Sequence, residues 1–264
     1  MIKGVSVTRK NSATACLIDF FSDELKAEIR ERLSAICHGP DIASSGSIVA
    51  SYRETLKEFN KRYAPKTENT KKGMIGELLT HILLLKACPE LEPANPFFNM
   101  EESSIKKGFD LIVFDINLEK MWVTEVKSGS AGTKSANTFN KALLNTAKND
   151  LENRFADNET HIWLNAINGA RQALSTGTVK DRINEILEEC YQEASDEEQD
   201  GSEKNVILVS VTYKHTSDPV LVEEIKEKRK KILEEELFGE VMVFSIQKET
   251  YELVAAFLES EAEQ

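Results

Sequence analysis

The chain has 264 residues, of which 41% are hydrophobic and 30% are charged, so it can bury a large core and wholesale disorder is excluded. No apolar run approaches the roughly 18 residues that span a bilayer, and the N-terminus lacks the apolar stretch of a signal peptide. The net charge of −12 does not exclude nucleic-acid binding, because residues 1–72 carry a net +4, residues 73–156 a net −2 and residues 157–264 a net −14. We expect the acidic part to be either solvated helix surface or a face for a basic partner.

The spacing of the cysteines bears on the cellular compartment. Four cysteines are spread along the chain with no CxxC pair among them: Cys16, Cys37, Cys88 and Cys190. This spacing favours reduced thiols over a disulfide framework or a zinc site. We therefore expect a soluble protein of the cytoplasm with no membrane association.

The first predicted elements form an N-terminal strand–helix extension, residues 1–72. The apolar pattern predicts a strand over residues 13–20, and Ser22 can cap a helix over residues 25–36. A second helix is expected over residues 48–63, where apolar residues recur with helical spacing.

The predicted core, residues 73–155, follows a polar, basic connector over residues 65–72. It begins with a helix over residues 73–86 that is apolar on nearly every side, so this helix is expected to be buried. Phe97 and Phe98, among turn residues, then indicate a short aromatic strand.

A hairpin is predicted next, from strands over residues 109–115 and 121–127 joined by a short polar link. A loop rich in glycine and serine, residues 128–135, leads into an amphipathic helix over residues 137–155.

The C-terminal part, residues 156–264, is predicted to be an acidic helical insertion followed by a strand–helix unit that completes the same sheet. The predicted helices and strands cover residues 162–174, 180–191, 205–214, 218–237, 241–246 and 251–259, with a charged, flexible segment over residues 194–203. We expect the three parts to form one compact α/β unit with a mixed central sheet flanked by helices.

Four ionisable residues stand where apolar residues are expected. They are Glu77 in the buried helix, Asp110 in the first hairpin strand, and Glu125 and Lys127 in the second. Because side chains alternate along a strand, Glu125 and Lys127 lie on one face. In one hairpin register Asp110 shares that face at a Cβ separation of about 5 Å, and a slip of one residue moves it to the other face. The sequence leaves this register open.

Two carboxylates held this close repel each other unless a cation lies between them. Oxygen ligands with open water positions are typical of Mg²⁺ or Mn²⁺, so the expected ligands are Asp110 and Glu125. Such an ion can lower the pKa of a bound water and polarise a phosphoryl oxygen, and the Lys127 ammonium can stabilise the developing negative charge. The constellation therefore predicts phosphodiester hydrolysis.

Structural interpretations exist for the same residues. Glu77 could lie on a narrow polar stripe with His81, which is itself expected to be an ordinary helix histidine. Asp110 could be a turn residue, and Glu125 and Lys127 could form a solvent-facing ion pair. A single site accounts for all of these placements together, which favours the catalytic interpretation.

Three lysines recur at intervals of seven residues after the hairpin: Lys134, Lys141 and Lys148. This spacing predicts either a stripe that contacts nucleic-acid phosphates or an ordinary solvated helix face. The glycine-rich loop before them lacks the spacing of a nucleotide-binding loop, so no nucleotide site is expected.

The chemistry-bearing residues also resemble a known pattern. Residues 76–77 (Gly-Glu) on a helix, then 108–110 (Gly-Phe-Asp), then 125–127 (Glu-Val-Lys) resemble the PD-(D/E)xK nuclease superfamily, which has the restriction-endonuclease-like fold. Phe109 stands where the superfamily's name has proline, at a position that is commonly variable. The resemblance implies the following roles: metal ligands Asp110 and Glu125, catalytic lysine Lys127, and a helix-borne acid near the site, Glu77.

Over residues 73–155 the sequence is more specifically similar to the HamA family, the effector nucleases of Hachiman anti-phage systems. This resemblance implies a DNA-cleaving effector together with a helicase partner, HamB, that restrains it until abnormal DNA is sensed. A non-catalytic interaction subunit on the same fold, or a stand-alone repair or restriction nuclease, are the alternatives.

Overall fold

The computed structural model describes residues 2–97, 108–174 and 177–263. Over these ranges, seven strands form one mixed sheet with helices packed on both faces. This confirms the predicted α/β class and is consistent with a restriction-endonuclease-like core. Within the same ranges, none of the helices combines the length and apolarity needed to cross a membrane.

The strands are β1 (Val5–Lys10), β2 (Ala13–Ile18), β3 (Leu91–Pro93), β4 (Leu111–Asp115), β5 (Lys120–Ser130), β6 (Val206–Tyr213) and β7 (Val241–Lys248). The helices are α1 (Asp23–His38), α2 (Pro40–Ser44), α3 (Tyr52–Tyr63), α4 (Glu68–Ala87), α5 (Ala136–Ala156), α6 (Thr160–Ala173), α7 (Thr178–Ser195), α8 (Val222–Leu233) and α9 (Glu252–Ala262).

The strand order across the sheet is β1-β2-β7-β6-β5-β4-β3. The four middle strands, β2, β7, β6 and β5, run parallel, whereas β1, β4 and β3 pair antiparallel with their neighbours. Strands from all three predicted parts therefore join one sheet, with the C-terminal pair β7 and β6 between the N-terminal pair and the strands of the predicted core. The sheet curls, and Arg9 in β1 forms an ion pair at 3.3 Å with Glu90, the residue before β3 at the opposite edge.

Two hydrophobic layers cover the sheet. One contains buried residues of α1, α3, α4 and α9, and the other contains buried residues of α5, α6, α7 and α8. Alternation along β5 divides its side chains between them: Trp122 and Val126 belong to the α4 layer, and Met121 and Val123 belong to the α5 layer.

The central helix α4 is buried on most of its surface, as its all-round apolar sequence predicts. It begins earlier than expected, because the hydroxyl of Thr67 accepts the Thr70 backbone N–H and caps it. The predicted connector over residues 65–72 is therefore largely helix. At Gly76 the helix nearly touches β5: a Cβ there would lie 1.9 Å from Ser128 Oγ.

A buried polar network fixes α5 on the other layer. The Asn140 amide donates to Ser245 Oγ at 3.1 Å and accepts from Ser210 Oγ at 2.6 Å, and the two serine hydroxyls bond each other at 2.8 Å. Because buried polar groups need partners, this network fixes the position of α5 relative to β6 and β7.

Some predicted elements differ from the observed ones. Strand β1 was not predicted, because its side chains are mostly exposed and give no core signal. The helix predicted over residues 48–63 is a short 3₁₀ turn followed by α3, because Ser51 caps a new helix by accepting the Glu54 N–H. The expected loop over residues 41–47 contains the short helix α2.

Further differences lie beyond the hairpin. The edge strand beside β4 is β3, which lies ahead of the predicted aromatic strand. Phe97 lies outside β3, and Phe98 is outside the described residues. Strand β5 continues to Ser130, into the predicted glycine and serine loop, because residues 123–130 pair in register with β6. The helix expected over residues 218–237 is shorter, since α8 spans Val222–Leu233.

Candidate active site

Strand β5 presents Glu125 and Lys127 to the α5 layer. They share the parity of Val123, which packs in that layer, whereas Val126 points to α4. The expectation that Glu125 and Lys127 lie on one face is therefore confirmed. Their face is the one covered by the helix that follows the hairpin.

The register of the hairpin decides where Asp110 lies. Leu111 pairs with Thr124 and Ile112 with Val123, so the same register continued by one position sets Asp110 opposite Glu125. The Asp110 carboxylate accepts the Val126 backbone N–H at 2.7 Å, which ties it to the neighbouring strand. The structure thus adopts the register in which both carboxylates share a face.

Glu125 is a fully buried carboxylate, with 0% of its surface exposed. Its Oε1 accepts from Lys127 Nζ at 2.6 Å and lies 3.7 Å from Arg154 Nη2. Its Oε2 is buried and has no hydrogen-bond partner among the described residues. Burial and the repulsion of Asp110 raise the pKa of Glu125 to about 7, against the opposing pull of Lys127 and Arg154.

Lys127 bridges two acids. Its Nζ lies 2.6 Å from Glu125 Oε1 and 2.6 Å from Asp150 Oδ2, and 24% of its side chain is exposed. Burial alone lowers the pKa of this ammonium, but Glu125, Asp150 and Asp110 together raise it above its ordinary value. The lysine is therefore held in its charged form at the rim of the site.

Two residues of α5 that the sequence did not indicate complete this arrangement. Asp150 accepts from Lys127, and Arg154, one helical turn later, approaches Glu125 and donates to the Gly108 carbonyl. Arg154 thus links β5 to the segment that leads into Asp110. Their i,i+4 spacing puts them on one helix face, but many exposed pairs share that spacing, so it gives no distinguishing signal.

Glu77 is carried by a different element from the rest of this group. It is half-buried on α4, the helix that packs on the other face of the sheet, directly after the close contact between Gly76 and Ser128. The charges that shift the pKa of Glu125 are those of Asp110, Lys127 and Arg154. The structure therefore brings together Asp110, Glu125 and Lys127, with Glu77 on the α4 side.

The oxygen donors of the site suit a divalent metal ion that has few protein ligands. Across residues 2–97, 108–174 and 177–263, no group of three or more His, Cys, Asp or Glu side chains forms a ready cage. Mg²⁺ is commonly held by one or two carboxylates plus waters and substrate phosphates. Asp110 and Glu125 Oε2, which accepts no hydrogen bond from the described part of the chain, fit this open kind of site.

The other predicted candidates have structural partners. Lys141 pairs with Glu224 and Lys148 with Glu235, both on or next to α8, whereas Lys134 is exposed. The predicted lysine stripe is therefore partly used between helices. His81 is 2% exposed and packs its ring edge-on against Phe97 at 5.6 Å, as expected for a core histidine.

Comparison with known proteins gives one family match. The family model described as HamA matches residues 5–260, which is nearly the whole chain and extends well beyond the predicted core. No curated protein matches the sequence.

Proposed function

Because the chain belongs to the HamA family, we propose that it is the effector of a Hachiman anti-phage system and a metal-dependent nuclease of the PD-(D/E)xK type that hydrolyses DNA. One observation carries the chemistry. The carboxylate of Glu125 is fully buried beside a second carboxylate, with one oxygen that has no partner among the described residues.

Such an arrangement is costly for the fold. Removing a carboxylate from water is unfavourable, and the neighbouring charge of Asp110 adds repulsion. Lys127 and Arg154 offset only part of this cost, since the pKa of Glu125 stays raised. Strongly perturbed carboxylates next to an ammonium are concentrated at catalytic sites, and this supports an active site over a purely structural ion pair.

The proposed roles follow from these contacts. Asp110 and Glu125 would hold Mg²⁺ or Mn²⁺, and the bound ion would polarise a phosphoryl oxygen and lower the pKa of a bound water. The Lys127 ammonium, at the exposed rim, stabilises the negative charge that develops on a non-bridging oxygen of the scissile phosphate in the transition state. Glu77 is proposed to assist from α4, as the helix-borne acid of the superfamily pattern.

The test uses single-turnover cleavage of linear double-stranded DNA with Mg²⁺, alongside DNA affinity in Ca²⁺. Asp110→Ala and Glu125→Ala are expected to abolish Mg²⁺-dependent cleavage, and Lys127→Ala is expected to lose about 10²–10³-fold in rate with DNA affinity nearly unchanged. Lys120→Ala is the matched control, since Lys120 lies on the same strand and pairs with Glu240 at the surface.

Three results would each contradict part of the proposal. Full activity in either carboxylate variant removes the metal-site assignment. A collapse of affinity in Lys127→Ala with a normal rate on bound DNA makes Lys127 a phosphate-binding residue. Absence of any metal-dependent cleavage by the purified protein and its complex favours a non-catalytic subunit.

A helicase subunit resembling HamB is the proposed partner, and it would restrain the nuclease. A nuclease of low sequence specificity would damage the host chromosome if it were free, so restraint is expected. Part of the contact is proposed to come from residues 157–264, whose net charge is −14. Affinity purification from native lysate is expected to recover the helicase, and a free monomer under phage challenge would favour a stand-alone nuclease.

A further inference from the structure

The ammonium of Lys127 has two carboxylate partners of different kinds. Glu125 comes from the same strand and is fully buried, whereas Asp150 comes from α5 and 40% of its side chain is exposed. Both Nζ–oxygen distances are 2.6 Å. If a metal ion binds the other oxygen of Glu125, Oε2, it draws the negative charge of the carboxylate toward itself, and the hold of Oε1 on the lysine weakens.

We propose that Asp150 is a positioning residue that holds the Lys127 ammonium in place when Glu125 is engaged by the metal. This inference rests on the proposed nuclease function and deepens it. A lysine side chain has four rotatable bonds and loses much rotamer freedom when it is fixed. Without a second carboxylate partner, the Lys127 side chain would either shift with Glu125 toward the metal or rotate into solvent. In both cases its ammonium would no longer lie next to the scissile phosphate.

The charges around the site are consistent with Asp150 holding the lysine while Glu125 binds the metal. Glu125, Lys127 and Asp150 carry a net charge of −1 when all are ionised, and Arg154, on the same helix as Asp150, approaches Glu125 at 3.7 Å. Helix α5 therefore supplies an anion for the lysine and a cation for the buried acid. The buried Asn140 network holds this helix against β6 and β7, so both side chains are carried on a rigid element.

The alternative is that Asp150 forms only an ordinary surface ion pair. Such pairs contribute little to stability, because solvent screens them and the long side chains lose entropy. Two measurements therefore distinguish a structural role of Asp150 from a positioning role. One is the effect of substituting Asp150 on the cleavage rate with and without Lys127, and the other is the effect of added metal on the accessibility of the lysine.

The first experiment is a kinetic double-mutant cycle. Asp150→Asn is expected to lower the single-turnover cleavage rate about 10-fold with KM and DNA affinity unchanged, and Asp150→Glu is expected to recover part of the rate. In a Lys127→Ala background, Asp150→Asn is expected to have no further effect. Glu152→Gln is the matched control, because Glu152 lies on the same helix and faces Lys148 at 3.9 Å.

The second experiment does not use activity. The protein is treated with an amine-acylating reagent, with and without Mg²⁺, and labelling of Lys127 is measured by peptide mass spectrometry against the exposed Lys134. An ammonium held in an ion pair is protonated and protected. In the unaltered protein, protection of Lys127 is expected in both conditions; in Asp150→Asn, labelling is expected to rise several-fold when Mg²⁺ is added.

The outcomes separate this inference from the proposed function. If Asp110→Ala abolishes cleavage while Asp150→Asn cleaves and labels normally, the positioning role is wrong and the nuclease assignment stands. Additive losses in the double mutant also overturn it, because Asp150 would then act without Lys127. If Asp110→Ala cleaves normally, the nuclease site is wrong and the inference fails with it.

Discussion

At the scale of single residues, the buried carboxylate of Glu125 is a feature that folding alone does not favour. Glu125 is an acid in a core strand, and its environment favours the protonated form until the pH approaches neutrality. Lys127 and Arg154 moderate the penalty without removing it. In a metal-free protein this residue therefore opposes folding at physiological pH, and that leads to a measurable dependence on pH.

The first prediction concerns Glu125→Gln in the metal-free protein. The raised pKa means that between about pH 4.3, where an unfolded glutamate titrates, and about 7 the folded state binds more protons than the unfolded state. The contribution of Glu125 to the free energy of unfolding therefore falls as pH rises through this window and stays low above it. Glutamine keeps the shape without the charge.

We expect Glu125→Gln to match the unaltered protein near pH 4 and to exceed it in stability by on the order of 2 kcal/mol at pH 8. Denaturant unfolding in a chelator at both pH values measures the difference. The matched change Glu152→Gln on α5 should show no such divergence. Equal stabilities of Glu125→Gln and the unaltered protein at pH 8 would mean that the ionised Glu125 carboxylate does not destabilise the fold.

At the scale of elements, the contact between α4 and β5 depends on one missing side chain. Gly76 lets the helix approach until a Cβ would lie 1.9 Å from Ser128 Oγ and 3.3 Å from a Val211 methyl. Such an approach brings α4, with Glu77, directly against the strand that carries Glu125 and Lys127. Any side chain at position 76 would force the two elements apart or displace Ser128.

The second prediction compares two glycines of the same helix. Gly76→Ala is expected to destabilise the protein by about 1–3 kcal/mol through overpacking, because Ser128 and Val211 have to shift. At Gly73, no atom of the described residues outside the local helix backbone lies within 4 Å of an added Cβ. Gly73→Ala is therefore expected to stabilise the protein by about 0.5–1 kcal/mol, since alanine favours helix more than glycine does.

Thermal or denaturant unfolding of the two variants measures this contrast directly. Nuclease assays of Gly76→Ala add a second readout, because a shift of α4 relative to β5 should lower activity even where the protein remains folded. A stabilising Gly76→Ala would show that the helix can move away from β5 without cost.

At the scale of the whole molecule, the sheet is assembled from distant parts of the chain. Strands β6 and β7 lie at its centre but come from residues 206–248, and β2 from the N-terminal part pairs with β7. Part of the C-terminal acid also faces basic residues elsewhere in the chain: ion pairs join Lys10 to Glu223, Arg30 to Glu261, Lys120 to Glu240, Lys141 to Glu224 and Lys148 to Glu235. Ion pairs within the chain therefore account for part of the acidic C-terminal charge, in addition to the proposed contact with a partner.

The third prediction is that the core, residues 73–155, does not fold on its own. In that fragment β5 would lose β6, its parallel neighbour over residues 123–130, and α5 would lose the buried hydrogen bonds of Asn140 to β6 and β7. We expect an unfolded far-ultraviolet circular dichroism spectrum and no protected amides for the fragment, and a single cooperative transition for the full chain. A fragment with its own cooperative transition would define an independent domain.

Much of this protein followed from the sequence by itself. The period of two along β5 put Glu125 and Lys127 on one face, and the all-round apolar pattern of α4 predicted its burial. The α/β class and the hairpin also followed, because they depend on local periodicity and short links. Strand β1 and the division between the 3₁₀ turn and α3 did not, because exposed strands and local caps leave weak hydrophobic patterns.

The tertiary structure alone decided the remaining features. The hairpin register, which sets Asp110 opposite Glu125, depends on packing against both layers and cannot be derived from alternation, since a one-residue slip satisfies the same pattern locally. Asp150 and Arg154 join the site because α5 is packed across β5 and β6, and sequence spacing carries no information about that placement. The sequence of the two strands therefore determined which charged residues form the site, and the packing of α5 on the sheet decided which groups hold them in position.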